Sequence, residues 1–307
     1  MKISLIIPTY NAKAYLPKLL RKLKEQSIEF ELIIIDSSSS DTTPAIAQEY
    51  VDKFITIPKS EFDHGGTRTK AAQQASGDIV VFLTQDALPV DNHAIERIVK
   101  VFEDDAIGAA YGRQIAYEQT SLFGKHLRRF NYPETSHFRT IADSQQYGMK
   151  TVFLSDSFAA YRVEALRKID WIKDGLISSE DSYAGAKMLL ANYTLAYVAD
   201  AQVYHSHSYS IMEEFRRYFD IGVFYNRQKW IQERFGKAEG EGKRYIISEF
   251  KYLLKNRAYL KIPEFFIRNA MKYAGYKLGQ QHKKFSPSMI QKMTMHPLWW
   301  KKTNYFL

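Results

Sequence analysis

Gly77-Asp78-Ile79-Val80-Val81-Phe82-Leu83-Thr84-Gln85-Asp86 is the stretch that decides the fold. Residues 79–83 are apolar without alternation, so both faces of that strand must be buried, as in a sheet covered on two sides. The run then ends on two polar residues and a carboxylate. Residues 3–7 (ISLII) and 31–35 (ELIII) have the same character. Between them, Leu16, Leu19, Leu20 and Leu23 stand at helical spacing among lysines, giving an amphipathic helix over 14–27. Asp41-Thr42-Thr43-Pro44 opens another helix, because Asp or Thr can cap and Pro suits the first turn. Further helices are expected at 67–76 and 92–102, and a strand at 109–115. The alternation predicts an α/β fold: a mostly parallel sheet with helices on both faces. Ligands of such sheets lie beyond the carboxyl ends of the strands. The loops there are Pro8 to Asn11, Asp36 to Ser40 and Thr84 to Pro89, all polar, which points to a nucleotide-type ligand.

Farther along, the pattern changes. Residues 116–160 are less regular and carry Arg128, Arg129 and Arg139, with Arg113 just before them. Residues 180–191 read as a helix entered by Glu180-Asp181, and 195–205 as a strand leading into His205-Ser206-His207. From 211 the reading is helical, over 211–235, 244–260 and 263–280, with Gly236, Gly240 and Gly242 marking the first break.

The chain has 307 residues, 43 Lys+Arg and 34 Asp+Glu, a formal charge of +9. Twelve of those cations and one acid, Glu264, fall in residues 251–307, a local charge of +11; residues 1–250 carry 31 − 33 = −2. An apolar share of 45% with 14% aromatics excludes a disordered chain. The absence of cysteine excludes disulfides and thiolate metal sites. No strictly apolar run exceeds five residues, so no transmembrane helix is expected. The N-terminal apolar run is too short for a signal peptide and meets Pro8 too early. The expectation is a protein that stays where it is made.

Four constellations can carry chemistry. Asp86, just past a buried strand, suits Mg²⁺ or Mn²⁺, which take oxygen ligands and hold substrate phosphates; the alternative is a turn aspartate. Glu180-Asp181 can provide a general base, since adjacent acids oppose each other's ionisation and one pKa rises; the alternative is ordinary preference for acids in a first helical turn. His205 and His207 are two apart after a strand, so both rings can face one site. Phe62-Asp63-His64-Gly65-Gly66-Thr67-Arg68 places paired glycines before a helix, whose N-terminus attracts anions, with Arg68 one residue inside.

In order, Ile7-Pro8-Thr9-Tyr10-Asn11, Ile34-Ile35-Asp36, Ser39-Ser40-Asp41-Thr42, Arg68, 77–86, Glu180-Asp181 and His205 resemble the family 2 inverting glycosyltransferases. FDHGGTR, FLTQDALP, SDSFAAYR and VYHSHSYS resemble more narrowly the bacterial rhamnosyltransferases of that family. The resemblance implies a GT-A fold, Rossmann-like α/β, over residues 1–210, with a helical extension over 211–307. It implies a nucleotide-sugar site at Pro8, Thr9, Tyr10, Asp36, Arg68, Gln85 and Asp86, with Tyr10 stacking on the pyrimidine and Asp36 reading base or ribose. It implies Mg²⁺ or Mn²⁺ on Asp86 and His205, with His207 as a second histidine there. Asp181 is implied as catalytic base, beside Glu180. Thr84 replaces the first acid of the DXD motif, which puts metal dependence in question. The implied donor is dTDP-L-rhamnose, the implied acceptor a lipid-linked saccharide of a cell-surface polysaccharide.

The tail adds a place of work. Its cations are interleaved with Tyr252, Tyr259, Phe265, Phe266, Tyr273, Tyr276, Phe285, Trp299, Trp300, Tyr305 and Phe306. Arg268 and Lys272 share a helix face. Lys, Arg, Trp and Tyr together mark a segment lying on an anionic membrane surface, so the enzyme is expected in the cytoplasm, peripheral on the inner face of the bacterial membrane. Three readings compete with this one. One is a family 2 enzyme that uses UDP-hexose or UDP-GlcNAc instead. The chain could also be a non-catalytic nucleotide-sugar binding module. Or it could bind nucleic acid, against which the slightly acidic body speaks.

Overall fold

The strands are β1 (Ile3–Thr9), β2 (Glu31–Asp36), β3 (Lys53–Thr56), β4 (Ile79–Leu83), β5 (Leu88–Pro89), β6 (Ile107–Ile115), β7 (His137–Arg139), β8 (Phe158–Arg162) and β9 (Thr194–Tyr204). They come from a computed structural model that describes residues 1–236 and 239–302. All lie in one sheet, in the order β3-β2-β1-β4-β8-β6-β9-β5, with β7 paired to β9. Strands β1 to β4 pair in parallel, as expected, and β6 pairs parallel to β9. Strand β8 runs against both its neighbours, β4 and β6. The sheet is therefore mixed: β1, β2, β3, β4, β6 and β9 run one way, and β5, β7 and β8 the other. Thr9 stands opposite Asp36, and Ile6 opposite Phe82, so the carboxyl ends of β1, β2 and β4 reach one edge together.

The apolar runs sort by parity, as period-two geometry requires. Leu5, Ile7, Ile34, Val81 and Leu83 face one layer; Ile6, Ile33, Ile35, Val80 and Phe82 face the other. The first layer holds α1 (Leu16–Lys24), α2 (Thr43–Gln48) and, farther on, Ala94–Lys100; α3 (His64–Ala72) lies on the second. Ala94–Lys100 is α4, followed by α5 (Leu122–Asn131), α6 (Ser144–Tyr147), α7 (Val163–Lys168) and α8 (Glu180–Leu190). Helices α7 and α8 also cover the second layer.

The C-terminal helices are α9 (Ile211–Arg227), α10 (Lys229–Phe235), α11 (Glu239–Lys255), α12 (Ile262–Gln280), α13 (Pro287–Met293) and α14 (Pro297–Lys302). Gly240 and Gly242 lie inside α11 rather than in a break. Helices α9 and α12 meet backbone to backbone: a Cβ on Gly275 or Gly279 would stand 2.4 or 2.0 Å from the carbonyl oxygens of Phe215 and Phe219. This half is not a loose appendage. Phe219, Ile290, Trp299 and Trp300 belong to the same core as Ile6 and Phe82. Arg268 and Lys272 do share a face, but it is the buried one, where Glu214 lies 3.0 Å from Arg268 and 3.5 Å from Lys272. Phe265, Trp299 and Trp300 are buried too, so these tail residues pack the protein and do not meet lipid. Tyr305 and Phe306 lie outside the described residues.

Candidate active site

The first and second strand loops are tied into one surface. Thr9 Oγ1 donates to Asp36 Oδ1 at 2.8 Å, and Ser39 N donates to Asp36 Oδ2 at 2.8 Å. Asp36 is almost wholly buried by these contacts, so its carboxylate shapes the loop around it. Asn11 and Ser38 take left-handed conformations (φ 47° and 56°) that turn the chain at both strand ends. Pro8 is half-buried at the end of β1. Tyr10 is exposed there; its N donates to Gln85 Oε1 at 2.9 Å, and the Gln85 amide returns a bond to Tyr10 O at 3.3 Å. Pro8, Thr9, Tyr10, Asp36, Gln85 and Asp86 therefore line one edge, where Lys59 Nζ lies over the Tyr10 ring, 4.2 Å from its centre.

Asp86 meets both histidines. His205 Nε2 lies 3.4 Å from Asp86 Oδ1 and His207 Nε2 3.8 Å from Oδ2. The two rings are 4.7 Å apart, so the i, i+2 expectation holds in space. His205 Nδ1 faces Gln114 Oε1 at 2.9 Å and donates to it, so Nε2 is the nitrogen turned toward Asp86, protonated when it bonds that carboxylate and bare when it ligates a cation. Gln114 is itself oriented, its Nε2 donating to Ser155 Oγ at 2.8 Å. Burial raises the Asp86 carboxyl, but the hydrogen bond and charge of His205, with His207, outweigh it and hold it far below the usual range. Burial lowers both imidazoles, His207 to about 4, so they are neutral ligands at neutral pH. One carboxylate and two imidazoles on one side, with the rest open, can hold a divalent cation.

On the other side of the β4 edge lie the acids. Ser179 takes a left-handed conformation (φ 60°) immediately before α8, a position that costs a non-glycine residue about 1 kcal/mol. Glu180 Oε1 lies 3.3 Å from Arg68 Nη1, and Asp156 Oδ2 lies 3.5 Å from Arg68 Nε. Tyr161 Oη donates to Asp156 Oδ1 at 2.6 Å. Arg68 is thus buried under the acids and holds them apart, rather than reaching outward to a nucleotide. Burial raises Glu180, but the charge His64 carries when protonated and the charge of Arg68 outweigh it and hold the carboxyl below its usual range. Asp181 goes the other way: burial, then the charges of Glu180 and Asp156, push it up to about 8. The opposition of neighbouring acids read from the sequence is present, and it is Asp181 that rises.

The glycine motif works differently from its expected role. The helix begins at His64, and Asp63 Oδ1 caps it by accepting from Gly66 N at 2.8 Å. An acid already occupies that end, so it offers no anion site. Gly65 is needed for close approach: a Cβ there would stand 2.1 Å from Lys173 O. Asp156, Gln114, His64 and Asp220 carry no local signal of the contacts they make here. Asp156 lay inside the SDSFAAYR stretch, but its contact with Arg68 spans 88 positions, which no local pattern marks.

The Glycosyl transferase family 2 profile matches residues 4–170, and the chain belongs to that family. It is a glycosyltransferase, an enzyme. Over nearly its full length it is similar to the O-antigen chain rhamnosyltransferase RfbN of Salmonella typhimurium, 41% identical over 308 residues, covering 99% of this chain and 98% of the relative. The O-antigen chain rhamnosyltransferase WbaN of Salmonella anatum is 41% identical over 305 residues, covering 98% and 96%. Among solved structures, the mannosyltransferase PcManGT from Pyrobaculum calidifontis, in complex with GDP-Man and Mn²⁺, superposes with a TM-score of 0.64 at 16% identity, covering 92% of this chain and 86% of that one. S. aureus TarS 1–349 with UDP-GlcNAc gives 0.55 at 18% identity, covering 92% of each. At these identities the structures show the fold alone, which is the GT-A arrangement expected from the resemblance.

Proposed function

We propose that the protein transfers L-rhamnose from dTDP-L-rhamnose to a lipid-linked saccharide acceptor in O-antigen-type polysaccharide synthesis, with inversion. The raised Asp181 beside an ionised Glu180 carries the catalytic part of this reading, and the similarity to the two Salmonella rhamnosyltransferases supports the donor. Tyr10 stacks on thymine, while the Asp36 loop and Gln85 shape the floor beneath it. Asp86, His205 and His207 would hold a divalent cation, and two nitrogen donors favour Mn²⁺ over Mg²⁺. Bound there, it would supply a positive charge for the diphosphate leaving group. Asp181 takes the proton of an acceptor hydroxyl as that oxygen bonds to the anomeric carbon and the bond to the diphosphate breaks. A β-linked donor then gives an α-L-rhamnoside, and dTDP leaves. Arg68 and Asp156 keep Glu180 in place throughout.

Donor identity is tested by thermal shift with and without Mn²⁺, since a ligand of the folded state raises its stability. The expected result is a rise of the midpoint with dTDP-L-rhamnose plus Mn²⁺ exceeding that with UDP-GlcNAc or a UDP-hexose. An equal or larger response to a UDP sugar would overturn the rhamnosyl donor.

We also propose that the enzyme works on an anionic membrane surface, with residues 1–210 as the catalytic unit and the helices after 210 as its support. No described helix is long and apolar enough to cross a membrane. Pro263, Phe266, Ile267, Ala270 and Tyr273 line one exposed face of α12, and exposed Tyr259 and Leu260 extend it. Exposed Lys251, Lys255, Arg257 and Lys261 flank this face, which matches anionic headgroups. Phe266→Glu with Ile267→Glu should abolish flotation with phosphatidylglycerol vesicles while leaving the thermal midpoint in place. Undiminished flotation of that variant would sink the membrane face.

A further inference from the structure

The chain beyond the family match returns to the catalytic acids at its far end. Asp220 on α9 is 1% exposed and accepts from Thr294 Oγ1 at 2.6 Å and from Met295 N at 2.8 Å. His296 N then donates to Thr294 Oγ1 at 2.9 Å, which fixes the turn. The Trp299 indole donates to Gly175 O at 3.1 Å, and Lys302 Nζ to Phe62 O at 2.8 Å. Residues 294–302 are thereby clamped across the loops that precede α3 and α8. A carboxylate this deeply buried, held by the Thr294 hydroxyl and the Met295 amide, is a costly way to fix a segment. Burial pushes the Asp220 carboxyl up to about 7, so the clamp carries that cost.

The clamp sets His296 edge-on against His64, with ring centroids 5.4 Å apart, and Phe62 also meets His64 edge-on at 5.0 Å. His64 Nδ1 is 4.0 Å from Glu180 Oε1. The three half-buried rings form a cluster that reaches Glu180 through His64. Burial lowers both imidazoles, His296 to about 4, so each is neutral and offers one donor and one acceptor, the same complement as a hydroxyl group. Ring faces with a few polar groups are the lining of a site for a neutral, amphipathic ligand. Glu180 and Asp156 outnumber the single Arg68 cation between them and disfavour an anion there. A sugar ring, apolar at its C–H faces and polar at its rim, fits this chemistry.

We propose that Phe62, His64 and His296 form the subsite for the pyranose ring of the acceptor, beside Asp181, and that the clamped residues 294–302 complete it. This deepens the transferase reading above and rests on it. The test uses the full chain and saturation-transfer NMR with the methyl pyranosides of galactose, glucose, mannose and rhamnose, each with and without dTDP. At least one should bind, and His296→Ala and Phe62→Ala should each weaken it by about tenfold, the loss of roughly one ring contact. A retained rise in thermal midpoint with dTDP shows that each variant is folded and its donor site intact. Failure of every pyranoside to bind the unmodified protein would overturn the subsite, as would binding unchanged in both variants. Failure of dTDP to raise the midpoint of the unmodified protein removes the thymidine donor instead, and the nucleotide-free arm still decides the subsite.

Discussion

Asp181→Asn should reduce the turnover of rhamnosyl transfer by about 10³-fold, within the range that general-base catalysis supplies. Binding of dTDP-L-rhamnose should be unaffected, because the proposed nucleotide contacts, Tyr10, Gln85 and Asp86, do not include Asp181. The fold should not suffer either. Asp181 is crowded by Glu180 and Asp156, so removing its carboxylate relieves repulsion, and the thermal midpoint should hold or rise. The raised pKa adds a second signature. A base must be deprotonated to act, and Asp181 is held up to about 8 in the free protein. The value of kcat/KM at saturating Mn²⁺ should therefore climb with pH between about 6 and 8, since that ratio follows the free enzyme. Glu180→Gln removes one of the charges that raise Asp181 and should move the rise to lower pH. Near-normal turnover of Asp181→Asn would take the base role from this residue, and a flat profile from pH 6 to 8 would deny the raised pKa.

How much of this was legible beforehand depends on what kind of pattern each feature leaves. Strands β1, β2 and β4 are unbroken apolar runs because both their faces are buried, and they stand where the sequence places them. Strand β8, Phe-Ala-Ala-Tyr-Arg, is short and rich in alanine, and its reversal leaves no local mark at all. The cluster of Asp86, His205 and His207 was legible because the two histidines stand two apart just past β9, and their rings do meet. The acid cluster was legible only in part: Glu180-Asp181 is a sequence neighbour pair, while Arg68, Asp156 and His296 reach it by folding alone. Net charge misled in one respect. Arg268 and Lys272 counted as surface cations, yet both are spent on the buried Glu214, so the basic face that remains is the one around α11 and the start of α12.

The metal cluster supports the other large effect. With Thr84 in place of the first acid of the motif, Asp86 is the sole carboxylate among the three clustered ligands. Asp86→Ala leaves two neutral imidazoles, which cannot offset a divalent charge, so Mn²⁺ binding should be lost. Transfer should fall by about 10²- to 10³-fold, as when one preorganised contact to a developing charge is removed. Excess Mn²⁺ should not restore it. His207→Ala should behave differently, because His207 is more exposed and Asp86 with His205 remains; added Mn²⁺ should recover most of its activity. Gln114 touches no metal, yet it fixes the tautomer of His205, and Gln114→Ala should weaken Mn²⁺ by about 10- to 100-fold. The contrast separates a true ligand from its support and from a dispensable neighbour. Mn²⁺ affinity read by electron paramagnetic resonance, alongside turnover, decides it. Wild-type affinity in Asp86→Ala, or full turnover of the unmodified enzyme after removal of divalent ions by chelator, would place the cation elsewhere or make it unnecessary.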